Sequence, residues 1–135
     1  MKFLDLKGKQ KNLRNAKKYL IDWDKSSRSK FQTRVKEFLR SYWSQDIVFE
    51  EFRVAGSRLT LDFYNANKKI AVEVQGEQHT RYVKFFHKNP FKYSDQLKRD
   101  ELKFKFCEIN NIKLAEIYPK DEINASVFEN QEINL

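Results

Sequence analysis

Residues 58–75 read RLTLDFYNANKKIAVEVQ, and the alternation in this stretch decides the fold class. Leu59, Leu61 and Phe63 alternate with Thr60, Asp62 and Tyr64; Ile70, Val72 and Val74 alternate with Ala71, Glu73 and Gln75. A period of two marks strands, because successive side chains point to opposite faces. Asn65-Ala66-Asn67-Lys68 between the runs is turn material, so the stretch predicts a β-hairpin. Opposed residues of an antiparallel pair share a face. A turn centred on Ala66-Asn67 sets Asp62 opposite Ala71, and a shift of two sets it opposite Glu73. Either register puts Asp62, Glu73 and Gln75 on one face and Leu61, Phe63, Val72 and Val74 on the other. Two neighbouring carboxylates repel unless a proton or a cation intervenes, and an oxygen-loving ion such as Mg²⁺ would resolve the repulsion.

Outward from the hairpin, residues 47–54 (IVFEEFRV) read as a third strand. Before it, Phe31, Val35, Phe38, Leu39 and Tyr42 recur at helical spacing and predict a helix over 30–44. Ser29 and Gln32 form a capping box at its start. Leu13, Ala16, Leu20 and Trp23 predict an earlier helix over 10–24, broken at Ser26-Ser27-Arg28. After the hairpin comes an aromatic-basic loop, residues 80–92 (TRYVKFFHKNPFK). A helix is expected over 93–109 with an apolar stripe of Tyr93, Leu97, Phe104 and Cys107, ending at Asn110-Asn111. Asp100 falls within that stripe, where a carboxylate needs a partner; a structural ion pair would supply one. Residues 112–117 (IKLAEI) return as a strand before Pro119, and the polar stretch from 120 is expected to be loosely held. The order αα-βββ-αβ predicts an α/β (α+β) domain with a central mixed sheet flanked by helices. Residues 1–28 would form a basic N-terminal helical extension, 29–118 the domain proper and 119–135 a polar tail.

Charge leaves two readings open, a polyanion partner or a solvated lysine-rich face. The 135 residues carry 27 Lys plus Arg against 19 Asp plus Glu, a net +8 that fits a polyanion such as nucleic acid. Residues 1–20 hold seven basic side chains against Asp5 alone. The lone Cys107 excludes a disulfide framework and a cysteine-built zinc site. No apolar run is long enough to span a bilayer, and the N-terminus lacks a signal peptide's apolar region. The expectation is a cytoplasmic protein, not secreted, with no membrane partner. His79, four residues past Gln75, is a candidate proton acceptor because histidine titrates near neutrality.

Asp62 followed by Glu73-x-Gln75 resembles the PD-(D/E)xK nuclease signature. The fuller pattern RLTLDFYNANKKIAVEVQGEQH, then RDELKFKFCEINNIKLAEI, is similar to the very-short-patch-repair-like branch, which includes phage homing endonucleases. The resemblance covers about residues 29–118 and implies a restriction-endonuclease-like core. It implies a Mg²⁺-dependent DNA endonuclease, with Mn²⁺ expected to substitute, leaving 5′-phosphate and 3′-hydroxyl ends. Carried over by position, Asp62 and Glu73 would hold the metal with the backbone carbonyl of Val74, and His79 would assist water activation. Asp100 matches the acid on the following helix, and Lys103 a lysine common in relatives. Gln75 stands where the motif has lysine, and Gln32 where relatives place an acid on the first helix. Lys7, Lys9, Lys11, Arg14, Lys17, Lys18, Arg58, Arg81, Lys84, His87, Lys88 and Lys92 are the candidate contacts to double-stranded DNA. A junction-resolving or mismatch-repair nuclease on the same fold, or a decayed nucleic-acid-binding domain, are the alternatives. A homodimer would supply two active sites for cutting both strands.

Overall fold

The computed structural model describes residues 1–76 and 90–135, apart from the side chains of 90–94. A four-stranded sheet at its centre has the order β3-β4-β5-β6: β3 (Val48–Arg53), β4 (Thr60–Asn65), β5 (Ile70–Val74) and β6 (Lys113–Ile117). The first three strands run antiparallel and β6 lies parallel to β5. That parallel step needs a crossover, which runs through a helix. Helix α1 (Lys30–Trp43) precedes the sheet, and α2 (Pro90–Ile109) joins β5 to β6. The chain is thus a mixed α/β fold, as the periodicities predict.

The β4–β5 hairpin takes the shifted register. Phe63 opposes Val72, Tyr64 opposes Ala71 and Asn65 opposes Ile70, so the same register continued brings Asp62 to Glu73. The turn closes because the Asn65 side chain accepts the Lys68 N–H at 2.9 Å and Lys69 adopts a left-handed φ of 55°. Strict alternation nevertheless fails at one point. Glu51, mid-way along β3, has φ 52°, and no Glu51–Asp62 pair occurs in an otherwise continuous ladder. Beyond this irregularity the faces exchange. Leu61 joins the cluster of Phe49, Phe52, Tyr64, Ala71 and Phe106, not that of Phe63 and Val72. The expectation that Leu61 shares a face with Phe63 is therefore corrected.

Each face of the sheet carries its own core. One is built on α1, with Val35, Leu39 and Trp43 packed on Phe63, Val72 and Ile117. The other holds Phe106 and Cys107 of α2 against Phe52, Leu61 and Tyr64. Helix α1 starts on Ser29, whose Oγ accepts the Gln32 N–H at 3.0 Å. The Gln32 side chain does not complete the box; it reaches Glu50 and Glu51 instead. Helix α2 ends as expected, with Asn111 left-handed at φ 56°. Its inward line differs from the predicted stripe. Leu97 and Phe104 are exposed, while Lys103, Phe106 and Cys107 face the sheet.

The two ends of the chain also depart from expectation. The predicted helix over 10–24 is absent. A small hairpin, β1 (Lys2–Leu4) with β2 (Gln10–Asn12), is followed by a single 3₁₀ turn at Ala16–Tyr19. Phe3 is buried against Phe52, Tyr64 and Phe106, with ring centroids 5.5–6.1 Å apart, which requires an extended chain there. Asp5 organises the turn by accepting the N–H groups of Lys7 and Lys9 at 2.9 and 2.8 Å. It also packs on the β3–β4 turn, where Gly56 (φ 76°) leaves room: a Cβ there would lie 3.2 Å from that of Asp5.

Residues after 120 are not loose. A short helix, α3 (Ala125–Glu129), buries Phe128, which stacks on Phe38, and Ile133 is buried next to it. Gln131 then mimics a neighbouring strand, accepting the Glu116 N–H at 2.8 Å and donating to the Glu116 carbonyl at 3.0 Å. This satisfies part of the free edge of β6. Gln131→Ala should cost about 1–2 kcal/mol and speed amide exchange at Glu116, as thermal melts and hydrogen exchange would register. Among the described residues, no helix is long and apolar enough to cross a membrane.

Candidate active site

Strands β3, β4 and β5 carry four acidic residues, Glu50, Glu51, Asp62 and Glu73, though among the described residues no three His, Cys, Asp or Glu side chains converge as a three-ligand ion site would require. Asp62 and Glu73 form the centre. Where the β4–β5 ladder stops, each carboxylate takes a backbone donor from the opposite strand. The Val74 N–H donates to Asp62 Oδ2 at 2.7 Å, and the Asp62 N–H donates to Glu73 Oε1 at 3.3 Å. Backbone direction alternates along β5, since Gln75 N–H turns to Ile117 of the neighbouring strand. N–H and C=O of one strand residue point to the same side, so Val74, whose N–H turns to β4, turns its carbonyl to the β4 side as well. Lys103 reaches across from α2, its Nζ 3.2 Å from Glu73 Oε2.

Burial makes this pair reluctant to ionise. Glu73 is buried, and desolvation, then the charge of Asp62, raise its carboxyl well above the usual range against the pull of Lys103. Asp62 is half-buried; desolvation raises it against the Val74 hydrogen bond, and the charge of Glu51 raises it further. Burial, with Glu73 nearby, also pushes the Cys107 thiol up to about 12, so it is inert as a nucleophile. The folded state therefore holds protons that the unfolded chain releases near the ordinary carboxylate value. Their stabilising contribution is present below that value and is lost as pH rises through the raised ones. Denaturant melts should show stability falling as pH rises above about 4, with the fall flattened in Glu73→Gln. A variant profile parallel to wild type would contradict this placement of the charge.

A second, structural cluster adjoins the first. Lys36, 2% exposed, donates to Glu50 Oε1 and to the Lys25 carbonyl, both at 2.8 Å. Glu50 Oε2 accepts from the Ser27 hydroxyl and from Gln32 Nε2, which also donates to Glu51 Oε1 at 3.1 Å. Glu51 is paired with Arg28 at 3.0 Å. Gln32, assigned by position to the helix acid, is thus the bridge between two glutamates.

Of the residues predicted from sequence, Asp62, Glu73, the Val74 backbone and Lys103 come together, and Gln75 follows directly after β5, buried. Asp100 lies one turn before Lys103, accepts from Gln96 at 3.1 Å and acts electrostatically on Tyr118. His79, Arg81, Lys84, His87 and Lys88, and the side chain of Lys92, lie outside the described residues. Lys7, Lys9, Arg14, Lys17 and Lys18 are exposed along the N-terminal segment. Lys11 and Arg58 line one groove together with Arg53, which sequence reasoning passed over as an ordinary strand residue. Lys36 was missed as well. Its signal was a place on the buried face of α1, one residue past Val35 and three before Leu39.

Known proteins add relatives but no chemistry. No family model matches the chain, and no solved structure matches it. It is 41% identical over 59 residues to the uncharacterized protein 307L of Invertebrate iridescent virus 6, which is 44% of this chain and 30% of that one. It is 36% identical over 64 residues to the uncharacterized protein 033L of Invertebrate iridescent virus 3, 47% of this chain and 33% of that one. With the uncharacterized protein 094L of Frog virus 3 it shares 41% over 63 residues, 46% of this chain and 41% of that one. The matches span 30–41% of the length of these relatives.

Proposed function

We propose that the chain is a Mg²⁺-dependent DNA endonuclease whose centre is the Asp62–Glu73 pair. The observation that carries the reading is the meeting of these two carboxylates from adjacent strands, with Lys103 on Glu73. The resemblance of the motif supports it, as does the order α1–β3–β4–β5–α2–β6, which this reading takes as a restriction-endonuclease-like core. The donor set suits the ion: hard carboxylate oxygens, held close enough to repel, with the Val74 carbonyl on the same side of β5. Mn²⁺ is expected to substitute.

Held by Asp62, Glu73 and the Val74 carbonyl, Mg²⁺ would supply Lewis-acid polarisation and a more acidic water. The chain's own groups do the rest. Asp62 and Glu73 hold negative charge where a cation must sit, and the Val74 N–H orients the Asp62 carboxylate. Lys103 offers a fixed positive charge beside the pair, which the neutral Gln75 does not, and so would stabilise charge building on a phosphoryl group. The resemblance gives the proton-accepting role to His79. Hydrolysis would leave a 5′-phosphate and a 3′-hydroxyl.

Nicking of supercoiled plasmid by the wild type with Mg²⁺ or Mn²⁺, and none in EDTA, is the expected result. Gln32 and Gln75, neutral where the motif has charge, favour a second reading as a nucleic-acid-binding domain without hydrolysis. Tight DNA binding with no cleavage across metals and substrates would select it. Linear duplex, mismatched duplex and four-way junction substrates separate a homing-type role from repair or junction resolution.

A further inference from the structure

Two basic grooves open at the end of the sheet that carries the carboxylate pair, one on each face. The first, about 490 Å³, opens between the β1–β2 hairpin and the β3–β4 turn, where Lys11, Arg53 and Arg58 surround a floor that includes Leu13 and Ala55. The three cations are exposed, and the nearby acid, Asp5, is already engaged by the N–H groups of Lys7 and Lys9 while its Oδ2 stands 4.0 Å from Lys11. The second, about 460 Å³, lies past the end of β5, with Lys30 and Arg34 of α1 facing Val74, Gly76 and Pro119. Asp62 connects to both. It is two residues beyond Thr60, the ladder partner of Arg53, and its carboxylate is bonded to Val74. Five cations thus flank the acids, three on one face and two on the other.

We infer that these grooves are the two arms of a track for the backbone of duplex DNA, which crosses the strand ends with an internal phosphodiester over Asp62 and Glu73. Charge complementarity selects a polyanion. Duplex is favoured over single strand because neither groove offers an open ring for stacking: Phe3, in the first, is 7% exposed and packed among other aromatics, and Phe31, in the second, packs on the α1 core with Arg34 over its ring. Cations on both sides of the pair suit a continuous strand rather than a terminus. Only this last point rests on the proposed hydrolytic reading; the binding track does not.

Fluorescence anisotropy of a labelled DNA duplex in EDTA tests the track without chemistry. The double variant Arg53→Glu/Arg58→Glu should weaken binding at least about tenfold and lower the slope of log affinity against log salt by roughly two, and Arg34→Glu by roughly one. Lys105→Glu, an equal charge change on an exposed α2 position, should stay within about twofold. The neutral pair Arg53→Gln/Arg58→Gln, with an unchanged melting temperature, should show the same order of effects and guards against misfolding. Groove variants that behave like Lys105→Glu would overturn the track, and so would tighter binding of single strands or equal binding of an RNA duplex. Cleavage of covalently closed circles supports the internal position, whereas digestion only from free ends removes it. A wild type that binds as described but never cleaves leaves the track standing and rejects the hydrolytic centre alone.

Discussion

Asp62→Ala is expected to lower Mg²⁺-dependent nicking at least about 10³-fold while duplex affinity in EDTA holds or rises. The size follows from what the ion supplies. A bound divalent cation contributes several kcal/mol of charge stabilisation, and each 1.36 kcal/mol is about tenfold in rate. Asp62 is the partly exposed member of the pair, with one oxygen on the Val74 N–H. On the proposed reading, removing it would delete a ligand and a charge together. Binding should not suffer, because a carboxylate near a phosphate repels it. Folding should not suffer greatly either, since desolvation makes the ionised group unfavourable where it sits. Undiminished nicking by this variant would remove Asp62 from the centre.

The second large effect concerns stability. Glu50→Ala should destabilise the fold by about 3–5 kcal/mol, because it strands the buried Lys36 ammonium with only the Lys25 carbonyl for company. For a domain of this size that is roughly 10–20 °C of melting temperature. Adding Lys36→Met to Glu50→Ala should recover much of the loss, since an apolar side chain of similar length needs no partner. The recovery separates a stranded charge from a mere cavity. Additive losses in the double variant would mean that the pair is not coupled as its 2.8 Å contact implies.

These expectations locate what was legible in the sequence. The β4–β5 hairpin was, because alternation over two runs admits only one strand reading and its parity put Asp62 and Glu73 together before any register was known. Helix α1 and strand β6 were readable from apolar spacing for the same reason. The N-terminal segment was not. Leu13, Ala16 and Leu20 do fall at helical spacing, but residues 10–12 pair with the strand that buries Phe3 and Leu20 bridges to Phe49 of β3, so tertiary pairing outweighs a weak local preference. Polar residues in apolar places hid the remainder. Helix α2 turns Lys103 inward while Phe104 faces water, and α1 buries Lys36, so a rule that sorts side chains by polarity misassigns both. Such violations concentrate where charge is held against solvent for a purpose. The left-handed Glu51 belongs to the same class: no periodicity announces a break that exchanges the faces of β3 and β4 beside the acids.

Crystals grown with Mn²⁺, mapped at the manganese absorption edge, test the shared-cation centre most directly. An anomalous peak within ligand distance of both the Asp62 and Glu73 carboxylates and the Val74 carbonyl is the predicted result. Full Mn²⁺ loading conditions with Lys103 still on Glu73 and no peak between the strands would contradict it.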